Sequence, residues 1–138
     1  MLERTLFIIK PDAIEKNLVD KIIRRIEAKG YRIVAKKKLH LTRQKAESFY
    51  EVHRDKYFFE KLINYITSGP CIPAIVEGEN AIRGIRKLIG ATDPKDAAEG
   101  TIRKDFAEDG TRNAVHGSDG PETAVWEIAF FFDQKKSI

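Results

Sequence analysis

The chain has 138 residues, 42% of them hydrophobic, with a formal net charge of +4 and a single cysteine, Cys71. This length suits one domain, residues 1–138, with one core and two layers of secondary structure; a lone cysteine excludes an internal disulfide, and His40, His53 and His116 are too far apart for a zinc-ligand spacing. No stretch approaches the ~20 apolar residues of a membrane helix, and Leu6–Ile9 is too short for a secretory leader, so a cytosolic protein without membrane attachment is expected.

Thr5–Ile9 is an apolar run of branched and aromatic residues that predicts a buried strand, stopped by Pro11. Asn17 reads as the N-cap of an amphipathic helix whose stripe is Leu18, Ile22, Ile23 and Ile26, closed by Gly30. Alternation from Tyr31 to Leu41 predicts a long half-buried strand, whose Lys36-Lys37-Lys38 run is read as solvated edge, as Lys135-Lys136 is read as tail. Two short helices are expected at about 43–52 and 58–67, inserted between strands and ended by Ser68-Gly69-Pro70.

Ile72–Val76 reads as a third strand, with Pro73 pointing to a sheet edge or bulge because it cannot donate to the ladder. Ala81, Ile82, Ile85, Leu88 and Ile89 recur at helical spacing up to Gly90. The polar stretch from Ala91 to Arg112 is long for a loop in a compact domain, and such segments are usually functional. A short last strand is expected over 113–118, and then a closing helix that opens at Pro121 and turns Ala124, Val125, Ile128, Ala129 and Phe132 inward. The order strand, helix, strand, strand, helix, strand predicts an α+β class: a ferredoxin-like βαββαβ sandwich with a four-stranded antiparallel sheet and helices on its faces.

Arg112-Asn113-Ala114-Val115-His116-Gly117-Ser118-Asp119 is the stretch richest in chemistry. It sets His116 among a carboxamide, a hydroxyl and small residues, with Glu127 in the helix that follows. A neutral imidazole whose other nitrogen is held by a hydrogen bond is a nucleophile, and Gly117 is read as leaving room for a bulky group beside the ring. His116 is therefore the expected acceptor of a phosphoryl group.

Together with Lys10-Pro11-Asp12, Ser68-Gly69-Pro70 and Gly100-Thr101-Ile102-Arg103, that stretch makes the chain resemble the nucleoside diphosphate kinases over essentially its whole length. The resemblance implies transfer of the terminal phosphate of a nucleoside triphosphate, typically ATP, to a nucleoside diphosphate. The transfer would run in two half-reactions through a phosphohistidine at the pros nitrogen of His116. It further implies that Glu127 and Ser118 orient the ring and that Lys10, Arg86 and Arg103 contact the phosphates, with Thr92 as a hydroxyl donor. Tyr50 would stand near the phosphates, Phe58 would stack on the base with Leu62 one turn later, and Asn113 would bond the sugar hydroxyls. A stacking platform accepts any base, so broad specificity follows.

Mg²⁺ is the implied cofactor, bridging the phosphates with water as its other ligands and no dedicated protein cage. A homo-oligomer, tetramer or hexamer, is implied as well. Two departures from the family pattern stand out: Ala13, where many relatives carry glycine, is tolerated if its φ is negative, and Gly110 replaces a larger apolar residue beside the base. The chain also ends soon after the closing helix, at Ile138, where a longer tail would build a further interface.

Two other function classes are weaker. The basic charge would suit a nucleic-acid reader on the same sandwich, but no Lys/Arg-Gly-Phe/Tyr-Gly/Ala-Phe-Val run occurs, so nucleic acid is not expected as the main partner. A non-catalytic relative would lack at least one of Lys10, Arg86, Arg103, Asn113, His116 or Glu127, and all are present.

Overall fold

A computed structural model describes residues 1–132; Lys135-Lys136 and the chain end at Ile138 lie outside the described residues. In chain order the elements are β1 (Leu2–Ile9), α1 (Pro11–Glu15), α2 (Val19–Ala28), β2 (Arg32–Lys36), α3 (Arg43–Phe49), α4 (Phe59–Ile66), β3 (Ile72–Glu79), α5 (Ala81–Ile89), α6 (Ile102–Phe106), β4 (Val115–Gly117) and α7 (Pro121–Phe132). Single 3₁₀ turns lie at Glu51–His53 and Pro94–Asp96. The four strands pair antiparallel in the order β2-β3-β1-β4, the expected α+β sandwich.

Both faces of this sheet are covered, which explains why β1 reads as an unbroken apolar run rather than an alternating one. Leu6 and Ile8 pack with Phe49, Ile63, Ile66 and Phe131 from α3, α4 and α7. Phe7 and Ile9 face the other way, onto Ile22 and Ile26 of α2, Ile85 and Ile89 of α5, and Ile102 of α6. The inserted helix pair α3–α4 is thus the cover for a face that a minimal sandwich would leave wet. Its first helix starts at Thr42, whose hydroxyl accepts the Lys45 N–H at 3.1 Å.

Several local expectations are corrected. Asn17 does not cap α2: it has a φ of +59° and follows α1, a short helix that the sequence pattern did not announce, while Leu18 takes the N-cap position without a side-chain bond. A helix end in the left-handed region favours glycine or asparagine, so Asn17 is a C-terminal signal. Regular pairing of β2 stops at Lys36, after a register shift between Ile33 and Ala35, and resumes only as a single bridge between Leu39 and Cys71. Pro73 stands in an interior strand, where the β2 ladder has just ended, and its carbonyl still accepts the Lys37 N–H at 3.1 Å. Ala13 lies inside α1, fully buried and outside the residues with positive φ, so the condition for its tolerance is met.

The closing helix is rotated from the expected phase. Ala124, Glu127 and Phe131 are buried while Val125 is 72% exposed and Ala129 is exposed, because α7 is apolar nearly all round and hydrophobicity alone leaves its rotation open. A polar contact of Glu127, described below, sets the phase instead.

Gly90 ends α5 with a φ of +92° and ψ of −179°, a region open in practice only to glycine. A Cβ there would stand 2.6 Å from Thr101 Oγ1 and 2.8 Å from Thr101 Cβ. Gly90→Ala is expected to lower the unfolding free energy by about 2 kcal/mol or more, from backbone strain and overlap together. Urea denaturation of the two proteins checks this, and equal midpoints would contradict it.

Candidate functional site

His116 sits opposite Ile8 in the β1–β4 ladder and so faces the α3–α7 side of the sheet. Its Nε2 lies 2.9 Å from Glu127 Oε1, and the Ser118 hydroxyl donates to that same oxygen at 2.6 Å. Ser118 in turn accepts the buried Leu6 N–H at 3.2 Å, which ties the trio to the central strand. A carboxylate can only accept, so in the neutral imidazole it is Nε2 that carries the proton and Nδ1 that keeps its lone pair. Phe49 packs edge-on against the ring, with centroids 5.6 Å apart and planes at 70°, and Trp126 stacks on the far side of Phe49 at 5.7 Å. The imidazole side chain is 21% exposed against 8% for Glu127, so the ring is held at its base and reachable at its edge.

Gly117 serves a purpose other than the one read from sequence. Strand alternation turns it away from the imidazole, and a Cβ there would meet Ile89 Cδ1 at 2.7 Å and Ile85 Cγ2 at 3.5 Å. Its missing side chain therefore lets α5 close on β4, and its carbonyl faces Arg86 Nη1 at 3.4 Å.

The cations converge on the segment leading into β4. Arg103, on α6, donates through Nη2 to Val115 O at 2.8 Å, through Nη1 to Gly90 O at 3.2 Å and through Nε to Asn113 O at 3.4 Å. Burial and the neighbouring Arg86 draw its guanidinium down to about 10, which leaves it cationic at neutral pH. Lys10 is only 6% exposed, and its Nζ donates to Asn113 Oδ1 at 2.8 Å. Burial first, and then the charge of Arg103, bring Lys10 down to about 7, against a smaller upward pull from Asp12.

Both amide hydrogens of Asn113 are engaged, donating to Thr92 O at 3.2 Å and Gly110 O at 3.0 Å. Thr92 and Arg86 are themselves exposed.

The aromatic residues divide. Tyr50 is buried at 7% exposure, and its hydroxyl has no hydrogen-bond partner among the described residues. Burial pushes that phenol well above its ordinary range, so it remains a donor; Glu127 and Arg103 are close enough to act on it through their charges. Leu62 belongs to the core, and Phe58 is half-buried against it, its ring centroid 5.5 Å from that of His53 and 5.5 Å from that of Tyr57. His53 also lies 6.3 Å from Tyr50 in a stacked orientation, a neighbour that sequence reasoning missed. Its place on the 3₁₀ turn after α3 carries no periodic signal. Phe49 was missed for a different reason, since an apolar helix residue next to Tyr50 reads as core.

The donor set suits a polyphosphate rather than a bare metal ion. Lys10, Arg86, Arg103 and the Tyr50 hydroxyl are hydrogen-bond donors, and the one carboxylate oxygen at the centre, Glu127 Oε1, is already shared by His116 and Ser118. Among the described residues no group of three or more His, Cys, Asp or Glu side chains could hold an ion, and no helix is long and apolar enough to cross a membrane.

Comparison with known proteins agrees over the full span. Residues 3–137 match the family model described as nucleoside diphosphate kinase. A nucleoside diphosphate kinase of Desulfatibacillum aliphaticivorans is 55% identical over 133 residues, covering 96% of this chain and 96% of that protein. Among solved structures, the Aquifex aeolicus nucleoside diphosphate kinase superposes with a TM-score of 0.95 at 44% identity, covering 98% of each chain. The Halobacterium salinarum nucleoside diphosphate kinase, solved in complex with CDP, gives a TM-score of 0.93 at 42% identity and covers 98% of this chain and 90% of that one.

Proposed function

The chain belongs to the nucleoside diphosphate kinase family, and from that premise we propose that it moves the terminal phosphate of a nucleoside triphosphate to a nucleoside diphosphate through a phosphohistidine on His116. The observation that carries this reading is the imidazole itself: Nε2 is tied to Glu127, and Nδ1 is left with its lone pair on a ring that solvent reaches.

In the first half-reaction Nδ1 attacks the γ-phosphorus, the N–P bond forms, the bond to the bridging oxygen breaks, and the nucleoside diphosphate leaves with that electron pair. In the second, a different nucleoside diphosphate attacks phosphorus from the same pocket and Nδ1 departs neutral. The Glu127 carboxylate stabilises the positive charge that the ring gains on phosphorylation, and Ser118 holds the carboxylate in place. An N–P bond suits a carrier, because it is energetic enough to be passed on to a diphosphate.

Phosphoryl transfer spreads negative charge over the moving group, so the work of the pocket is to set donors around it. Lys10, Arg86 and Arg103 fill that role, with Thr92 offering a hydroxyl. The buried Tyr50 hydroxyl, which has no partner among the described residues, is a donor available to the phosphates in this reading. Asn113 keeps one free lone pair on Oδ1 for a sugar hydroxyl. Phe58 offers its outer face to a base of any kind, with Leu62 backing it from the core. Mg²⁺ comes with the nucleotide, bound to its phosphates and water, and when bound offsets their charge. Exposed Gly110 leaves the opposite side of the base open.

The assembly in this reading is a homo-oligomer, tetramer or hexamer, with family membership as its support, and sedimentation decides between them. A cytosolic site of action fits the buried Cys71, whose thiol burial raises to about 11, away from easy oxidation.

The test is brief exposure to γ-labelled ATP with Mg²⁺, followed by acid or alkali. A label lost in acid and kept in alkali, together with parallel lines in double-reciprocal plots, is the expected result. Intersecting lines, which require both nucleotides to be bound at once, would rule out the shuttle.

A further inference from the structure

Asp12 ends the Lys10-Pro11-Asp12 run and takes no part in the transfer described above, yet its side chain is wholly buried. Its Oδ2 accepts the Ala114 N–H at 3.1 Å. Oδ1 accepts the hydroxyl of Tyr65, and that hydroxyl oxygen accepts the Asp12 N–H at 3.3 Å. Burial and the bond to Asp12 push the Tyr65 phenol upward, which keeps it a donor. Positive charge stands nearby in Lys10 and in Arg112, whose guanidinium lies 5.4 Å from the Tyr65 ring centre.

The partner that matters is Ala114, which has a φ of +72°. A residue with a Cβ resists that region, and it persists only where the surroundings over-determine it. Here the backbone is held at both ends: the N–H by Asp12, and the carbonyl by the Lys10 N–H at 2.8 Å. Asn113 precedes this residue and Val115-His116 follow it, so the directions of the carboxamide and the imidazole both depend on it.

We propose that Asp12 is a positioning residue for phosphoryl transfer, fixing the left-handed Ala114 backbone and through it the aim of Asn113 and His116. The proposal rests on the phosphohistidine reading and adds a residue to it. Without the Oδ2 acceptor, Ala114 relaxes towards negative φ. Asn113 then turns away from Lys10 and His116 from Glu127, and misplacement of this kind acts on rate and nucleotide affinity together.

The experiment compares Asp12→Ala, Tyr65→Phe, Ala114→Gly and the double variant Asp12→Ala/Ala114→Gly, each shown to be folded at the assay temperature. Asp12→Ala, which removes the acceptor altogether, is expected to lower kcat/KM for nucleotide by about 10- to 100-fold. Tyr65→Phe should follow in the same direction by about 3- to 10-fold, since its hydroxyl anchors the other oxygen. Glycine adopts positive φ without strain, so the double variant should regain at least about 3-fold of the loss.

A residue that only holds the core together would lower the melting temperature, leave kcat/KM of the folded protein unchanged and gain nothing from glycine; that result overturns the proposal. If Asp12→Ala does not fold, an undiminished Tyr65→Phe overturns it equally. Failure of the wild-type protein to form an acid-labile phosphoprotein would instead overturn the phosphohistidine reading, and this proposal with it.

Discussion

His116→Ala is expected to lose nucleotide-to-nucleotide phosphate transfer by at least about 10³-fold, because without the carrier the two half-reactions have no shared intermediate. The remaining cations would still bind nucleotide, so the loss falls on kcat rather than on affinity. Folding should be nearly untouched: the ring is 21% exposed, and Glu127 keeps its bond from Ser118 at 2.6 Å. The measurement is the acid-labile label, read beside the rate of transfer from ATP to GDP. A variant that still takes up the label, or still transfers at the wild-type rate, would show that another group is the nucleophile.

Lys10 carries the second large effect, and it is one with a pH signature. Losing one aligned donor in a preorganised charge-stabilising site costs ~3 kcal/mol of barrier, so Lys10→Gln should lower kcat by about 10²-fold. In the free protein the ammonium is held down to about 7. Its folded value lies below its unfolded value, so burial of the charge destabilises the fold fully below pH 7. That penalty fades as pH rises from about 7 towards 10.5, and stability from this group increases across that window.

Nucleotide binding should act in the opposite sense, since a polyphosphate beside Nζ restores the proton. At pH 8, calorimetry in two buffers of different ionisation enthalpy should detect uptake approaching about one proton on binding a nucleoside diphosphate. In Lys10→Gln the uptake should vanish. Equal heats in the two buffers for the wild-type protein would mean that Lys10 does not meet the phosphates.

The fold was legible where hydrophobicity and punctuation agreed. Gly30 and Gly90 marked their helix ends, Pro11 stopped β1, and the β1 run announced a strand covered on both faces. What escaped had physical causes that pattern does not carry. Asn17 was ambiguous because asparagine favours both the start and the finish of a helix. Val125 and Ala129 were misplaced because α7 turns the buried Glu127, with its two bonds to His116 and Ser118, inward and has no apolar stripe to set its rotation. The cluster of His116, Glu127 and Ser118 was legible because one short segment and the helix after it contain it. Phe49 was not, since its neighbours His116, Trp126 and Phe131 come from packing of α3 against β4 and α7, and His53 was not, since its 3₁₀ turn carries no periodic pattern. Gly117 was noticed for the wrong reason: its missing side chain admits α5.

Asn113 and Arg103 are already occupied by Lys10 and by the carbonyls of Thr92, Gly110, Gly90 and Val115 before any guest arrives. In the proposed transfer a nucleotide reaching Asn113 and Arg103 would exchange contacts there rather than simply add them. On the proposed shuttle, such exchange would ease the release of one nucleotide before the next arrives, and the carbonyls that bind Arg103 and Asn113 hold their direction throughout.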